Sequence, residues 1–270
     1  MKFIPKVLIV EDSALVRHNI KSAFNNTEIE FIEASDGYSA MEILEQTEEQ
    51  LETVDLIICD INLPGINGLE LITEKNNIKN YLPYIPVLMI TSTSSGEVIS
   101  ETCKLNVTDI LFKPFTNKDL QLKVSSIIDT LVNTDLTIKH NTMIIGASNF
   151  QSVFFKKTLE QIGAKKVEIV NNFHDAWTFI VSSSRTPYDL IITDWQIGAE
   201  ECIPFIEKFR KKNDYQNTPV CITMSTLDPS KLQQIINIPL STIIYKNINK
   251  EDLTFKIRYL FNLKNKSIGD

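Results

Sequence analysis

The chain has 270 residues, 43% of them apolar, and sets 27 Lys and Arg against 34 Asp and Glu for a formal charge of −7. That length is about two ordinary domains, and the apolar share is enough to bury a core in each, which excludes a disordered chain. The excess of acid argues against nucleic acid or an anionic membrane as the main partner, since either demands a basic face, so protein partners fit better.

Short apolar runs alternate with longer amphipathic stretches from the start, the pattern of parallel strands joined by crossover helices. In the first half, 7–10, 29–34, 56–59, 87–90 and 110–112 are predicted strands, and 13–25, 37–50, 68–75, 96–104 and 117–132 carry the apolar spacing of helices. A polar segment at 133–141 reads as a linker, with the boundary near Leu136, giving domains 1–135 and 136–270. The second half repeats the scheme with strands at 143–145, 167–170, 190–193, 220–223 and 242–245, and a short polar tail is expected after Lys264.

The repetition is visible in the residues. Asp-Leu-Ile-Ile-Cys-Asp-Ile-Asn-Leu-Pro-Gly, starting at Asp55, returns as Asp-Leu-Ile-Ile-Thr-Asp-Trp-Gln-Ile-Gly from Asp189. Repeats of this length are whole domains, not solenoid units. The expected fold class is therefore α/β: two tandem flavodoxin-like (βα)5 doubly wound domains, each with a parallel five-stranded sheet of order 2-1-3-4-5. Cys59, Cys103, Cys202 and Cys221 show no paired short spacing and read as reduced packing residues of a cytoplasmic protein. His18, His140 and His174 share no ligand spacing, and the amino terminus has no signal-peptide pattern. No apolar run approaches the roughly 20 residues of a membrane helix.

In such a sheet ligands bind outside the carboxyl ends of the strands, beside strand one. Strands one and three are neighbours there, so Glu11, Asp12 and Asp60 meet in one crevice. Their mutual repulsion is costly unless a cation sits among them. Oxygen ligands without Cys or His suit a hard ion, Mg²⁺ first. Strand four ends at Thr91-Ser92-Thr93 and strand five at Lys113-Pro114-Phe115, placing a hydroxyl and an ammonium across the same pocket. Taken singly, each residue has a plainer reading as a turn acid, an N-cap or a surface charge.

On these residues the first half resembles the receiver domain of bacterial two-component response regulators. Glu11 and Asp12 match the family's acid pair, Asp60 its phosphorylated aspartate, Thr91 its switch hydroxyl and Lys113-Pro114-Phe115 its Lys-Pro-Phe. The resemblance implies phosphoryl transfer from a sensor histidine kinase or phosphotransfer protein to Asp60 as nucleophile. It implies Mg²⁺ held by Asp12, by Glu11 through water, by Asp60 and by the Asn62 carbonyl, with Lys113 and Thr91 contacting the phosphoryl group. A cis Lys113–Pro114 bond is also implied. The family often has a reporting aromatic three residues before the lysine; here that residue is Ile110.

In the second half Gly146 and Ala147 stand against Glu11 and Asp12, and Met224 stands against Thr91, with Ser225 an alternative under a shifted register. Asp194 and Lys246 survive, and Asn247 replaces the proline. This half reads as a pseudo-receiver, an adaptor or homodimerisation module that is not phosphorylated. Trp177 and Trp195 read as packing residues, although Trp195 could block the old pocket. Residues 208–212 read as a solvated helix end, and Phe115, Leu120, Val124, Ile127, Ile128 and Leu131 as a stripe facing the sheet. The whole reads as a non-enzymatic response regulator without a covalent output module, signalling to a downstream protein by phosphorylation-dependent contact. The alternatives are the regulatory receiver pair of a larger output protein such as a diguanylate cyclase, which the length of 270 residues counts against, or a phosphate sink. A flavodoxin-like hydrolase or flavin binder lacks its Gly-rich loop or nucleophile elbow here.

Overall fold

The computed structural model describes residues 3–50, 54–77, 84–93, 95–133, 138–146, 149–182, 186–225, 229–236 and 238–269. The chain divides into two compact units, residues 1–132 and 133–270. Leu136 and Ala147 lie outside the described residues.

In the first unit the elements run β1 (Lys6–Val10), α1 (Ala14–Ser22), β2 (Glu30–Ala34), α2 (Gly37–Gln50), β3 (Leu56–Asp60), α3 (Gly68–Asn77), β4 (Val87–Thr91), α4 (Gly96–Lys104), β5 (Asp109–Phe112) and α5 (Asn117–Val132). The sheet is parallel with order β2-β1-β3-β4-β5. Every residue of β3 and β4 is buried, as strands covered on both faces must be. Both strands run one residue past the expected ends, so Asp60 and Thr91 belong to the sheet and not to its loops.

Local chemistry sets the helix ends near these strands. Helix α1 begins at Ala14, later than expected, because Ser13 is its N-cap and accepts from Val16 N at 3.4 Å. Before α3, the Asn67 side chain accepts from Leu69 N and Glu70 N at 2.9 and 3.0 Å, and the Glu70 carboxylate accepts from Asn67 N at 3.0 Å, a reciprocal cap. Gly68 opens that helix because a Cβ there would lie 2.2 Å from the Asp60 carbonyl oxygen. In α5, Leu120, Val124 and Ile127 are buried against the unit while Ile128 and Leu131, and Phe115 just before the helix, are half-buried.

In the second unit the elements run β6 (His140–Ile145), α6 (Asn149–Gln161), β7 (Ala164–Val170), α7 (Phe173–Val181), β8 (Leu190–Asp194), β9 (Gln196–Ile197), β10 (Glu200–Glu201), α8 (Cys202–Arg210), a 3-10 turn (Asn213–Tyr215), β11 (Val220–Met224), α9 (Pro229–Ile236), β12 (Ser241–Tyr245) and α10 (Lys250–Gly269). Its main sheet, β7-β6-β8-β11-β12, repeats the first in order and direction.

The duplication extends to single bonds. Lys6 N donates to Asp55 Oδ2 at 2.8 Å, and Asn141 N to Asp189 Oδ2 at 2.8 Å. Lys113 N donates to Thr91 O as Lys246 N does to Met224 O, at 2.8 and 2.9 Å. Glu11 N donates to Ala34 O as Gly146 N does to Val170 O, at 3.1 and 2.8 Å.

Two features depart from expectation. A short antiparallel hairpin, β9 with β10, follows Asp194 where the first unit has a loop. The end of the chain is helical through Gly269 instead of a tail, since no Gly or Pro interrupts 250–268 and Leu260, Phe261 and Leu263 are buried. The four cysteines are buried and form no disulfide, and burial pushes the Cys202 and Cys221 thiols up to about 12. Among the described residues no helix is long and apolar enough to cross a membrane.

His140 is the buried histidine of the fold, 1% exposed, packed on Phe261 with ring centroids 5.2 Å apart. Its Nδ1 donates to Ile138 O at 2.6 Å, while Nε2 has no hydrogen-bond partner. Burial lowers its pKa, against the opposing pull of the Ile138 carbonyl and of Asp189. The unfolded chain, with a histidine near 6.5, therefore binds a proton before the folded chain does, so stability is full above about pH 6.5 and falls as pH drops below it. Denaturant midpoints of the whole chain should decrease between pH 7.5 and 5.5, and that slope should flatten in His140→Gln; an equal slope in the variant would assign it to other groups.

Candidate functional site

Glu11 directly follows β1, Asp60 ends β3, and Lys113 directly follows β5. The adjacency of β1 and β3 brings the two acids together. Glu11 is 2% and Asp60 5% exposed, and unpaired carboxylates at that depth are strongly disfavoured. Lys113 Nζ lies 2.6 Å from Glu11 Oε2 and 2.6 Å from Asp60 Oδ2, bridging them. The remaining oxygens accept from the main chain, Glu11 Oε1 from Ser13 N at 3.2 Å and Asp60 Oδ1 from Asn62 N at 3.0 Å. All four carboxylate oxygens are thus engaged.

The electrostatics follow from that geometry. Burial raises the Glu11 pKa, and the nearby Asp60 charge adds to this, while the Lys113 ammonium pulls the other way. Burial works against the charge on Lys113, but hydrogen bonds to Asp60 and Glu11 outweigh it and hold the lysine above its ordinary value. The crevice therefore keeps its lysine charged.

Asp12 stands at the exposed rim. Among the described residues no three His, Cys, Asp or Glu side chains already stand together as a metal-holding group. Thr91 is fully buried, and its hydroxyl accepts from Thr93 N at 3.0 Å; the Thr93 hydroxyl in turn accepts from Ser95 N at 3.2 Å. These two bonds latch the loop between β4 and α4. Ile110 is buried in β5, and the Lys113–Pro114 bond is cis.

The second unit keeps the backbone of this crevice and fills it differently. Lys246 Nζ lies 3.3 Å from Asp194 Oδ1, and the Thr223 hydroxyl donates to the same oxygen. Thr223 pairs with Asp194 in register, the place held by Ile90 opposite Asp60, whereas Met224 is buried where Thr91 stands in the first unit. Met224 and Ser225 are the positions that the sequence offers against Thr91, and Thr223 is not among them, because only the register of the sheet places its hydroxyl across from Asp194. Gly146 has φ +77°, and a Cβ built there would lie 2.8 Å from Ile197 Cδ1 and 3.3 Å from Asp194 Cβ. The side chain over the old acid position is thus Ile197, carried by the β9–β10 hairpin, and Trp195 is half-buried.

The basic segment at 208–212 is more than a solvated helix end. Lys208 Nζ sits 4.0 Å and Lys212 Nζ 5.7 Å from the centre of the Trp177 ring, beside a cleft of about 420 Å³ lined by Phe173, Pro204 and Phe205.

Comparison with known proteins places the first unit. Residues 7–125 match the family model described as the response regulator receiver domain. A chemotaxis protein CheY homolog of Campylobacter jejuni is 30% identical over 126 residues, covering 46% of this chain and 93% of that protein. The regulator of RpoS of Escherichia coli is 37% identical over 115 residues, but the chain spans only 31% of its length. Among solved structures, the CheY4 chemotaxis protein of Vibrio cholerae is 28% identical, with a TM-score of 0.40, and covers 46% of this chain and 98% of that one. A CheY homologue matched over nearly its whole length, together with a second sheet of the same order, makes this chain a member of the response regulator receiver family, built from tandem receiver-like units.

Proposed function

We propose that the chain accepts a phosphoryl group on Asp60 from a phosphohistidine of a sensor kinase or phosphotransfer protein and passes the signal on by protein contact. The observation that carries this reading is the Lys113 ammonium bridging two buried carboxylates at 2.6 Å each. A carboxylate oxygen of Asp60 attacks phosphorus, the phosphorus–nitrogen bond of the donor breaks, and the released imidazole keeps the bonding pair and takes up a proton. Lys113 is placed to neutralise charge on the transferred group, and Asn62 N holds the other Asp60 oxygen so that the nucleophile stays oriented.

Glu11, Asp12, Asp60 and the Asn62 carbonyl form an all-oxygen set with more negative charge than one lysine balances, and that set fits Mg²⁺. Closing the set calls for Asp12 to turn in from the rim. When bound, the ion supplies charge neutralisation for the phosphoryl oxygens.

Output follows from the Thr91 latch. In this reading the Thr91 side chain turns to donate its hydroxyl to the phosphoryl group, and that rotation draws its oxygen away from Thr93 N, which loosens the loop leading into α4. No aromatic at residue 110 is needed for this coupling. In the second unit Asp194 is tied to Lys246 and Thr223 under Ile197, which supports an adaptor role without phosphorylation. A regulatory part within a longer protein is the second reading, favoured by one finding: the chain spans 31% of the regulator of RpoS and 50% of the aerobic respiration control protein ArcA.

Intact-mass measurement after incubation with acetyl phosphate and Mg²⁺ should show one added phosphoryl group in wild type and in Asp194→Asn, and none in Asp60→Asn. A group lost only in Asp194→Asn would overturn the assignment. Gly146→Glu, which returns an acid to the second unit, should add no second group and should destabilise the chain by about 2 kcal/mol or more, because it strains a left-handed backbone and overlaps Ile197. Thermal melts beside the mass measurement check both halves of that expectation.

A further inference from the structure

The main chain of the acid pair leaves the sheet at β1. Glu11 N still donates to Ala34 O at 3.1 Å, but the Glu11 and Asp12 carbonyls both accept from a single nitrogen, Nη1 of Arg17, at 2.7 and 3.1 Å. Nε of the same guanidinium donates to Glu33 Oε2 at 2.8 Å, and Lys21, one turn further along α1, bonds the other Glu33 oxygen. These two hydrogen bonds, Lys21 first, hold the Glu33 carboxyl below its usual range, so it carries its full negative charge.

Helix propensity does not explain this arrangement. Arg17 lies near the start of α1, where the helix dipole gives a cation no support. Its side chain is only 16% exposed, and its rigid planar fork keeps Nη1 on the two carbonyls while Nε reaches Glu33, a geometry that a flexible lysine side chain does not pre-organise. A positive charge this near the crevice would also oppose a divalent cation unless another group cancelled it. Glu33, on β2, is that group.

We propose that Arg17 is a positioning residue that fixes the main chain carrying the Glu11 and Asp12 carboxylates, and that Glu33 neutralises it so that the clamp does not repel Mg²⁺. The inference rests on the proposed function in taking Glu11 and Asp12 as the acids that face the metal. Arg17 itself touches neither phosphoryl group nor metal in this scheme. Glu11 and Asp12 do so from a backbone that Arg17 holds still.

The test uses the full chain in two readouts. Mg²⁺ affinity is measured by calorimetry without any phosphodonor, and amide exchange of Ser13, whose N–H donates to Glu11 Oε1, is measured without metal. Arg17→Met should weaken Mg²⁺ binding by roughly 10-fold or more, the usual cost of losing an outer-shell partner, and should speed Ser13 exchange while the amides of β1 keep their rates. Arg17→Lys should recover only part of each effect. Glu33→Gln, which leaves the clamp but removes its counter-charge, should weaken Mg²⁺ binding more at low salt than at high salt. Mg²⁺ affinity within about twofold of wild type in folded Arg17→Met, or unchanged Ser13 exchange, would overturn the inference; a general rise in exchange along β1 would show a merely structural role and overturn it too. If wild type itself takes up no Mg²⁺, the proposed function falls, and the exchange readout still decides the role of Arg17.

Discussion

Everything in the first unit converges on one ammonium held between two buried carboxylates. Lys113 reaches the crevice from the end of β5, Glu11 from β1 and Asp60 from β3, so the pairing at 2.6 Å exists only because the strand order puts those ends side by side. Removing the lysine would leave two acids buried and repelling, at a cost of roughly 3–5 kcal/mol for such a broken pair. The same arrangement is what a phosphoryl acceptor needs: a carboxylate nucleophile held in place with a cation beside it. Stability and chemistry draw on the same three charges.

The two units show how one backbone carries two differently filled crevices. Their sheets share an order, and the bonds that tie strand one to the aspartate before strand three are the same length in both. The difference lies at the crevice. Where the first unit has an acid at the end of strand one, the second has a glycine in the left-handed region with an isoleucine over it. Deleting acids alone would leave a vacant polar hole that water enters; filling the space with Ile197 and giving Asp194 a hydroxyl partner in Thr223 closes it. The hairpin that delivers Ile197 is the one secondary-structure insertion at this end of the sheet among the described residues.

Much of this was legible in the residues, for identifiable reasons. Apolar runs such as 56–59, too short for helices and alternating with amphipathic stretches, read as strands covered on both faces, and the sheet order came with the doubly wound fold class they imply. That Asp60, Glu11 and Lys113 meet was readable because each sits at a strand end on the same side of neighbouring strands. What stayed hidden depends on register and approach. Thr223 differs from its neighbours only in facing Asp194 across the ladder, which no local pattern announces. Ile197 lies in a two-residue strand too short to show alternation, and Arg17 looks like any charged residue of an amphipathic helix until its carbonyl partners are seen. The helical end of the chain was masked by its polar residues, although nothing in them breaks a helix.

The coupling that the account predicts runs from Asp60 through Thr91 to the loop before α4. Its most direct test is the structure of the full chain with Mg²⁺ and beryllofluoride, a phosphoryl mimic. The expected structure has one mimic, on Asp60, contacted by Lys113 and by a Thr91 hydroxyl that no longer accepts from Thr93 N, with Asp194 still bonded to Thr223 and Lys246. A mimic on Asp194, or one on Asp60 with the Thr91–Thr93 bond intact, would contradict it.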